Sequence, residues 1–124
     1  MSDTKILIAD DEPDIRLMVS RMLGKDYLVL EAADGDEAVE LARLHKPDLI
    51  LMDIMMPEKD GYSACLSIKS DPATESIPVV MFTGIDHQLN VKLSDEMGAD
   101  GYITKPFSLD ELMNVVTRYA RGAD

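Results

Sequence analysis

The chain has 124 residues, 46% hydrophobic and 29% charged, with seven Gly and six Pro, the make-up of one ordinary globular domain and not of a disordered or fibrous chain. A chain this long buries roughly 65–70% of its unfolded surface, enough for one core without disulfide or metal staples. Twenty-four acids against twelve bases give a formal charge of −12, which argues against nucleic acid and anionic membranes as direct partners, because both demand a basic footprint.

Short apolar runs alternate with longer segments of helical period. Ile6–Ala9 is too short for a helix and is followed by Ile15, Met18, Val19, Met22 and Leu23 at i, i+3, i+4, i+7 and i+8, with Pro13 suited to a first helical turn. Tyr27–Ala32 is the second run; Asp34 with Glu37 then signals a helix start, and Ala38, Leu41 and Ala42 begin its stripe. Leu49–Met52 precedes a less regular helix over Tyr62–Lys69, and Val79–Phe82 precedes another over His87–Met97. Tyr102–Thr104 is the last run. Ser108-Leu109-Asp110-Glu111 reads as a capping box, and Leu109, Leu112, Met113, Val116 and Ala120 form a stripe ending near Arg121. Pro47, Pro72 and Pro78 fall where helices should stop or strands begin. No run approaches the ~18 apolar residues of a bilayer span. The polar start, Met1 to Lys5, does not resemble a signal peptide. The lone Cys65 has no disulfide partner and no metal-type spacing. A cytoplasmic, reducing setting is the expectation.

Five strands alternating with five helices predict a (βα)₅ domain with a parallel sheet covered on both faces, of strand order 2-1-3-4-5. One domain over residues 1–124, with its core at about 5–121 and no effector domain, is expected. Ligands of such sheets bind at the carboxyl ends of the strands, where the first and third are neighbours. Asp10-Asp11-Glu12 follows the first strand, Asp53 the third, Thr83-Gly84 the fourth and Lys105-Pro106 the fifth. Two like charges about 4 Å apart repel by roughly 4 kcal/mol at an effective dielectric near 20. Three aspartates with one lysine leave an excess of two negative charges, which a divalent cation balances. Oxygen donors without His or Cys point to Mg²⁺, with Mn²⁺ or Ca²⁺ as substitutes. A carboxylate beside such an ion, facing a lysine, has the parts for phosphoryl transfer.

Each residue taken singly has a plainer reading. Asp11 is then a helix cap, Asp53 a turn-former, Thr83 a strand residue and Lys105 a solvated surface lysine. Four strands ending in compatible chemistry weigh against those readings together. A flavin carrier on the same fold would need Gly, Ser and Thr after the first strand, where the acids would repel a phosphate. An aspartate-nucleophile phosphatase would place a second acid at position 55, where Met55 stands.

The stretches Ile6-Leu7-Ile8-Ala9-Asp10-Asp11-Glu12-Pro13, Asp53-Ile54-Met55-Met56-Pro57 with Gly61, Thr83-Gly84 and Lys105-Pro106-Phe107 resemble the response-regulator receiver family, most simply its single-domain chemotaxis-regulator type. The resemblance runs from about Lys5 to Tyr119 and implies a flavodoxin-like fold. It implies that Asp53 accepts a phosphoryl group from a sensor histidine kinase or a histidine phosphotransfer protein. Asp10 and Asp11 would hold Mg²⁺, directly or through water, with Asp53 and the backbone carbonyl of Met55. It further implies that Thr83 closes on the phosphoryl oxygen, that Gly84 offers its N–H, that Lys105 pairs with the phosphoryl group, that the Lys105–Pro106 bond is cis, and that Tyr102 moves inward with Thr83. Output through the fourth helix, fifth strand and fifth helix, a monomer or phosphorylation-dependent dimer, and no external turnover substrate also follow from it.

Met55 and Ile85 flank the implied phosphorylation site, and neither side chain can orient an attacking water. The aspartyl phosphate is therefore expected to decay slowly in Mg²⁺ buffer and faster in Met55→Asn. An unchanged or slower decay in that variant would show that position 55 does not limit hydrolysis.

Overall fold

A computed structural model describes residues 4–83 and 96–120, with Thr83 described by its backbone alone. Its elements are β1 (Lys5–Ala9), α1 (Pro13–Leu23), a 3₁₀ turn (Gly24–Asp26), β2 (Leu28–Ala32), α2 (Gly35–His45), β3 (Leu49–Asp53), α3 (Gly61–Ser70), β4 (Val79–Thr83), β5 (Gly101–Thr104) and α4 (Leu109–Tyr119). The helix expected over His87–Met97 falls almost wholly outside the described residues. Each strand lies within one residue of its expected ends. The last helix ends at Tyr119, short of Arg121, because Ala120 turns to extended backbone (ψ 128°) and its N–H closes on the Val116 carbonyl.

The sheet is parallel throughout, in the order β2-β1-β3-β4-β5. Strands covered on both faces should be apolar at every position, and all five residues of β3 are buried. The period of two sorts the sheet into two cores. Leu7, Ala9, Ile50, Met52, Val79 and Met81 meet Ala38, Val39 and Ala42 of α2 and Ala64, Cys65 and Ile68 of α3. On the other face Ile6, Ile8, Leu49, Leu51, Val80 and Phe82 meet Val19 and Leu23 of α1 and Leu112 and Val116 of α4. The result is the three-layer, doubly wound arrangement expected from the alternation.

Helix starts follow local chemistry. Pro13 opens α1, where a missing N–H is harmless. The capping box of α4 is complete: Glu111 N–H donates to Ser108 Oγ (3.1 Å) and Ser108 N–H to Glu111 Oε1 (3.0 Å). Asp34 accepts from Glu37 N–H (2.8 Å), but the Glu37 carboxylate reaches back to Ala33 N–H (2.6 Å) instead of to the cap residue itself. Lys69 ties the opposite edge of the sheet: its ammonium meets Asp100 (2.7 Å) and the carbonyls of Ile77 (2.7 Å) and Glu75 (3.2 Å).

The turn out of β3 positions the site. Gly61 N–H donates to Ile54 O (2.8 Å), folding the start of α3 back on the strand end. A Cβ on Gly61 would overlap the Asp53 carbonyl and crowd the Ile54 backbone. Backbone cannot yield as a flexible side chain can, so Gly61→Ala should destabilise the protein by about 1–3 kcal/mol. Urea unfolding checks this; a midpoint equal to that of the parent protein would mean that the turn relaxes freely.

Candidate functional site

Asp10 follows the last residue of β1, Asp53 ends β3, and Lys105 follows β5. Parallel register brings these ends to one edge of the sheet: Ala9 lies opposite Met52, Asp53 opposite Phe82, and Thr83 opposite Thr104. Residues separated by 95 and 52 positions thus meet. The Lys105 ammonium lies 3.0 Å from Asp10 Oδ2 and 3.3 Å from Asp53 Oδ1. It is also 5.6 Å from the centre of the Phe82 ring, whose face favours a cation. The Lys105 side chain is only 18% exposed, so it is not a solvated surface lysine.

Asp10 is fully buried and held at every polar atom. Its N–H donates to Ala32 O (3.0 Å), and its carbonyl accepts from Arg16 Nη1 (2.6 Å). Its carboxylate accepts from Glu12 N–H (2.9 Å) at one oxygen and from Lys105 at the other. Asp11 and Glu12 are exposed. The backbone of Glu12 caps α1, and no side-chain cap is made there. The carboxylate oxygens of Asp10, Asp11 and Glu12 gather within 4.8 Å of one another. Glu12 thus adds a third acid beside the expected pair; its place directly after Asp11 was the available signal.

Burial, followed by the Asp10 charge, raises the Asp53 carboxyl from 3.8 to about 6, although Lys105 opposes the shift. Burial works against the Lys105 ammonium too, but its hydrogen bond to Asp10 and the surrounding negative charge prevail and raise its pKa. One ammonium serves two carboxylates. Asp10 takes the shorter contact, which leaves Asp53 undercompensated. The donor set fits a hard divalent cation: oxygen ligands only, clustered acids, and a neighbouring carboxylate that resists ionising without more positive charge.

Met55 is 77% exposed just beyond β3, and Tyr102 on β5 is 46% exposed. Thr83 ends β4, but its side chain, Gly84, Ile85 and His87 lie outside the described residues. The Lys105–Pro106 bond is cis. Cys65 is buried in the α3 core and its thiol is pushed up to about 11, chiefly by burial, as a packed and unreactive cysteine should be. His45 closes α2 without a metal partner among the described residues, and its carbonyl accepts from Lys5 (3.2 Å). Among the described residues no helix is long and apolar enough to cross a membrane.

Residues 6–117 match the response regulator receiver domain. The transcriptional regulatory protein PdtaR of Mycobacterium tuberculosis is 41% identical over 114 residues, covering 90% of this chain and 54% of that protein. The chemotaxis protein CheY4 of Vibrio cholerae superposes with a TM-score of 0.89 at 30% identity, covering 95% of this chain and 99% of that one. The receiver domain of sensor histidine kinase PA1611 from Pseudomonas aeruginosa, solved with a magnesium ion coordinated in its active site cleft, superposes at 0.88 with 31% identity, covering 95% and 98%. The chain spans about half the length of the curated relatives it matches.

In metal-free protein Asp53 keeps its proton to about pH 6, whereas the unfolded chain releases it near 3.8. The folded state then binds more protons between these values, so this carboxyl's contribution to stability is lost as pH rises from about 4 to 6. Asp53→Asn should accordingly be more stable than the parent protein at pH 7, by up to about 3 kcal/mol, and the gap should close toward pH 4. Thermal melts in chelator across that range test the sign; a parent protein more stable than the variant at pH 7 would reverse it.

Proposed function

This chain belongs to the response regulator receiver family, and from that premise we propose that it is a two-component switch that accepts a phosphoryl group on Asp53 from a sensor histidine kinase or a histidine phosphotransfer protein. The observation that carries the reading is the Lys105 ammonium held between Asp10 and Asp53 at the carboxyl edge of the sheet. An Asp53 oxygen attacks phosphorus, the donor's bond to phosphorus breaks, and the donor leaves with that electron pair. Lys105 stays in place and pairs with the phosphoryl oxygens. Asp10, Asp11 and Asp53, with the Met55 carbonyl, would hold Mg²⁺, which supplies charge compensation for the transferred group. An apolar hollow of about 390 Å³, lined by Ile15, Met18, Lys105, Pro106 and Phe107, leaves room for a donor to approach beside the lysine.

The product carries about two negative charges and three acceptor oxygens. Lys105 then has a stronger partner than the Asp53 carboxylate it now shares with Asp10. Thr83, at the end of the neighbouring strand, closes on a phosphoryl oxygen, Gly84 offers its N–H, and Tyr102 swings inward from its exposed position. The segment after β4, β5 and α4 carry the change to a downstream protein. Coupling of this kind is commonly about 1–3 kcal/mol, a graded shift and not an all-or-none one. The chain acts on itself and turns over no external substrate, and it works in the cytoplasm, where kinase and target meet.

Incubation with Mg²⁺ and a small acyl-phosphate donor should label the parent protein and not Asp53→Asn. Lys105→Ala should still bind Mg²⁺ but fail to change its affinity for a downstream protein on addition of a beryllium-fluoride mimic. Labelling of Asp53→Asn would place the acceptor elsewhere, and full switching of Lys105→Ala would remove the lysine from the mechanism.

A further inference from the structure

The acidic loop after β1 is held by a residue that neither touches a reacting atom nor carries one of its acids. β1 ends at Ala9, so the Asp10 carbonyl lies beyond the strand. Arg16, in the first turns of α1, reaches back to it through Nη1 (2.6 Å) and at the same time donates from Nε to Glu31 Oε1 on β2 (2.9 Å). Its side chain is 17% exposed, against 50% for Glu31. An ion pair with so exposed a carboxylate contributes little by itself. The shorter and better shielded contact is the part-buried one to the backbone of Asp10. That carbonyl sets the peptide plane between Asp10 and Asp11, and hence the direction in which the Asp11 carboxylate leaves the chain. A planar guanidinium holds its separate donors in a fixed fork, so it meets the Asp10 carbonyl and Glu31 together in a geometry that the single ammonium of a shorter lysine does not reproduce.

We propose that Arg16 is a positioning residue for the metal-binding loop: anchored on Glu31, it fixes the Asp10 carbonyl and so holds Asp10, Asp11 and Glu12 in the spacing a divalent cation needs. The proposal rests on the Mg²⁺ reading above. Charge and geometry predict opposite outcomes. A cation near a cation site weakens metal binding, so if charge alone mattered, Arg16→Gln would bind Mg²⁺ more tightly and Arg16→Lys would bind unchanged. If the fork positions the loop, both variants bind more weakly. Groups that orient metal ligands typically alter metal affinity by about 10–100-fold.

The test is a Mg²⁺ titration of the full chain, followed by melting temperature and tyrosine emission, for the parent protein, Arg16→Lys, Arg16→Gln and Glu31→Ala. The expected result is a Mg²⁺ dissociation constant about tenfold or more higher in both Arg16 variants, and a smaller rise in Glu31→Ala, where the guanidinium loses its second anchor. A metal-free readout accompanies it. The Glu12 amide, which donates to Asp10 Oδ1, should exchange its hydrogen faster in Arg16→Lys while the amides of β1 and β3 keep their protection. Unchanged or tighter Mg²⁺ binding by Arg16→Lys overturns the proposal and leaves the Mg²⁺ reading intact. Should that variant not fold, unchanged affinity in Glu31→Ala overturns it equally. A parent protein without a saturable Mg²⁺ response removes the Mg²⁺ reading and this proposal together.

Discussion

Lys105 shares one ammonium between two carboxylates that come from different strands, and much of the site follows from that arithmetic. Two buried acids near each other repel, and one cation cannot satisfy both equally. Asp10, with every polar atom engaged, takes the closer contact. Asp53 is left with a carboxyl pushed up to about 6. An acid in that condition is poised to gain from any added positive charge and from any change that replaces it with a better partner for the lysine. The sheet supplies the rigidity this arrangement needs. β3 is buried along its whole length, so the backbone that carries Asp53 is fixed beside Asp10 and Lys105.

Fold legibility came from the two periods. Largely apolar runs of three to six residues are too short for helices, and the stripes between them at three- and four-residue spacing cannot be strands. Parallel pairing then follows from alternation, and it explains why chemistry at the ends of four runs was informative: parallel strands all present the same end to the same edge. Cap chemistry was readable where it is local, as in Ser108 and Glu111. It was less so at Asp34, where the Glu37 carboxylate goes to Ala33, a choice between adjacent N–H groups that sequence does not distinguish. The last helix was expected to end near Arg121, its stripe including Ala120, and it ends at Tyr119. Ala120 is buried, yet already extended, so burial outlived helical backbone by one position.

The candidate site was legible as residue types and illegible as geometry. Asp10, Asp53 and Lys105 were expected at one crevice, and they meet there. Sequence could not say that Lys105 would favour Asp10, nor that Asp10 would be fully buried while Asp11 stands exposed. The roles of Arg16 and Lys69 were also out of reach. Both bind backbone carbonyls through long side chains, and such contacts depend on where a loop passes in space, which no spacing rule encodes. Lys69 fixes the start of β4 through Ile77 and Asp100 at the edge away from the site. Arg16 does the comparable work at the site edge. The two ends of the sheet are thus each secured by one partly buried cation on a neighbouring helix.

The most direct test of the central claim is a ¹³C NMR titration of the Asp53 side-chain carboxyl, first in chelator and then in saturating Mg²⁺. The shared-lysine arrangement predicts a midpoint near 6 without metal and a large fall once the divalent ion is bound. A midpoint already at the ordinary 3.8 in chelator, or one that Mg²⁺ does not move, would contradict it.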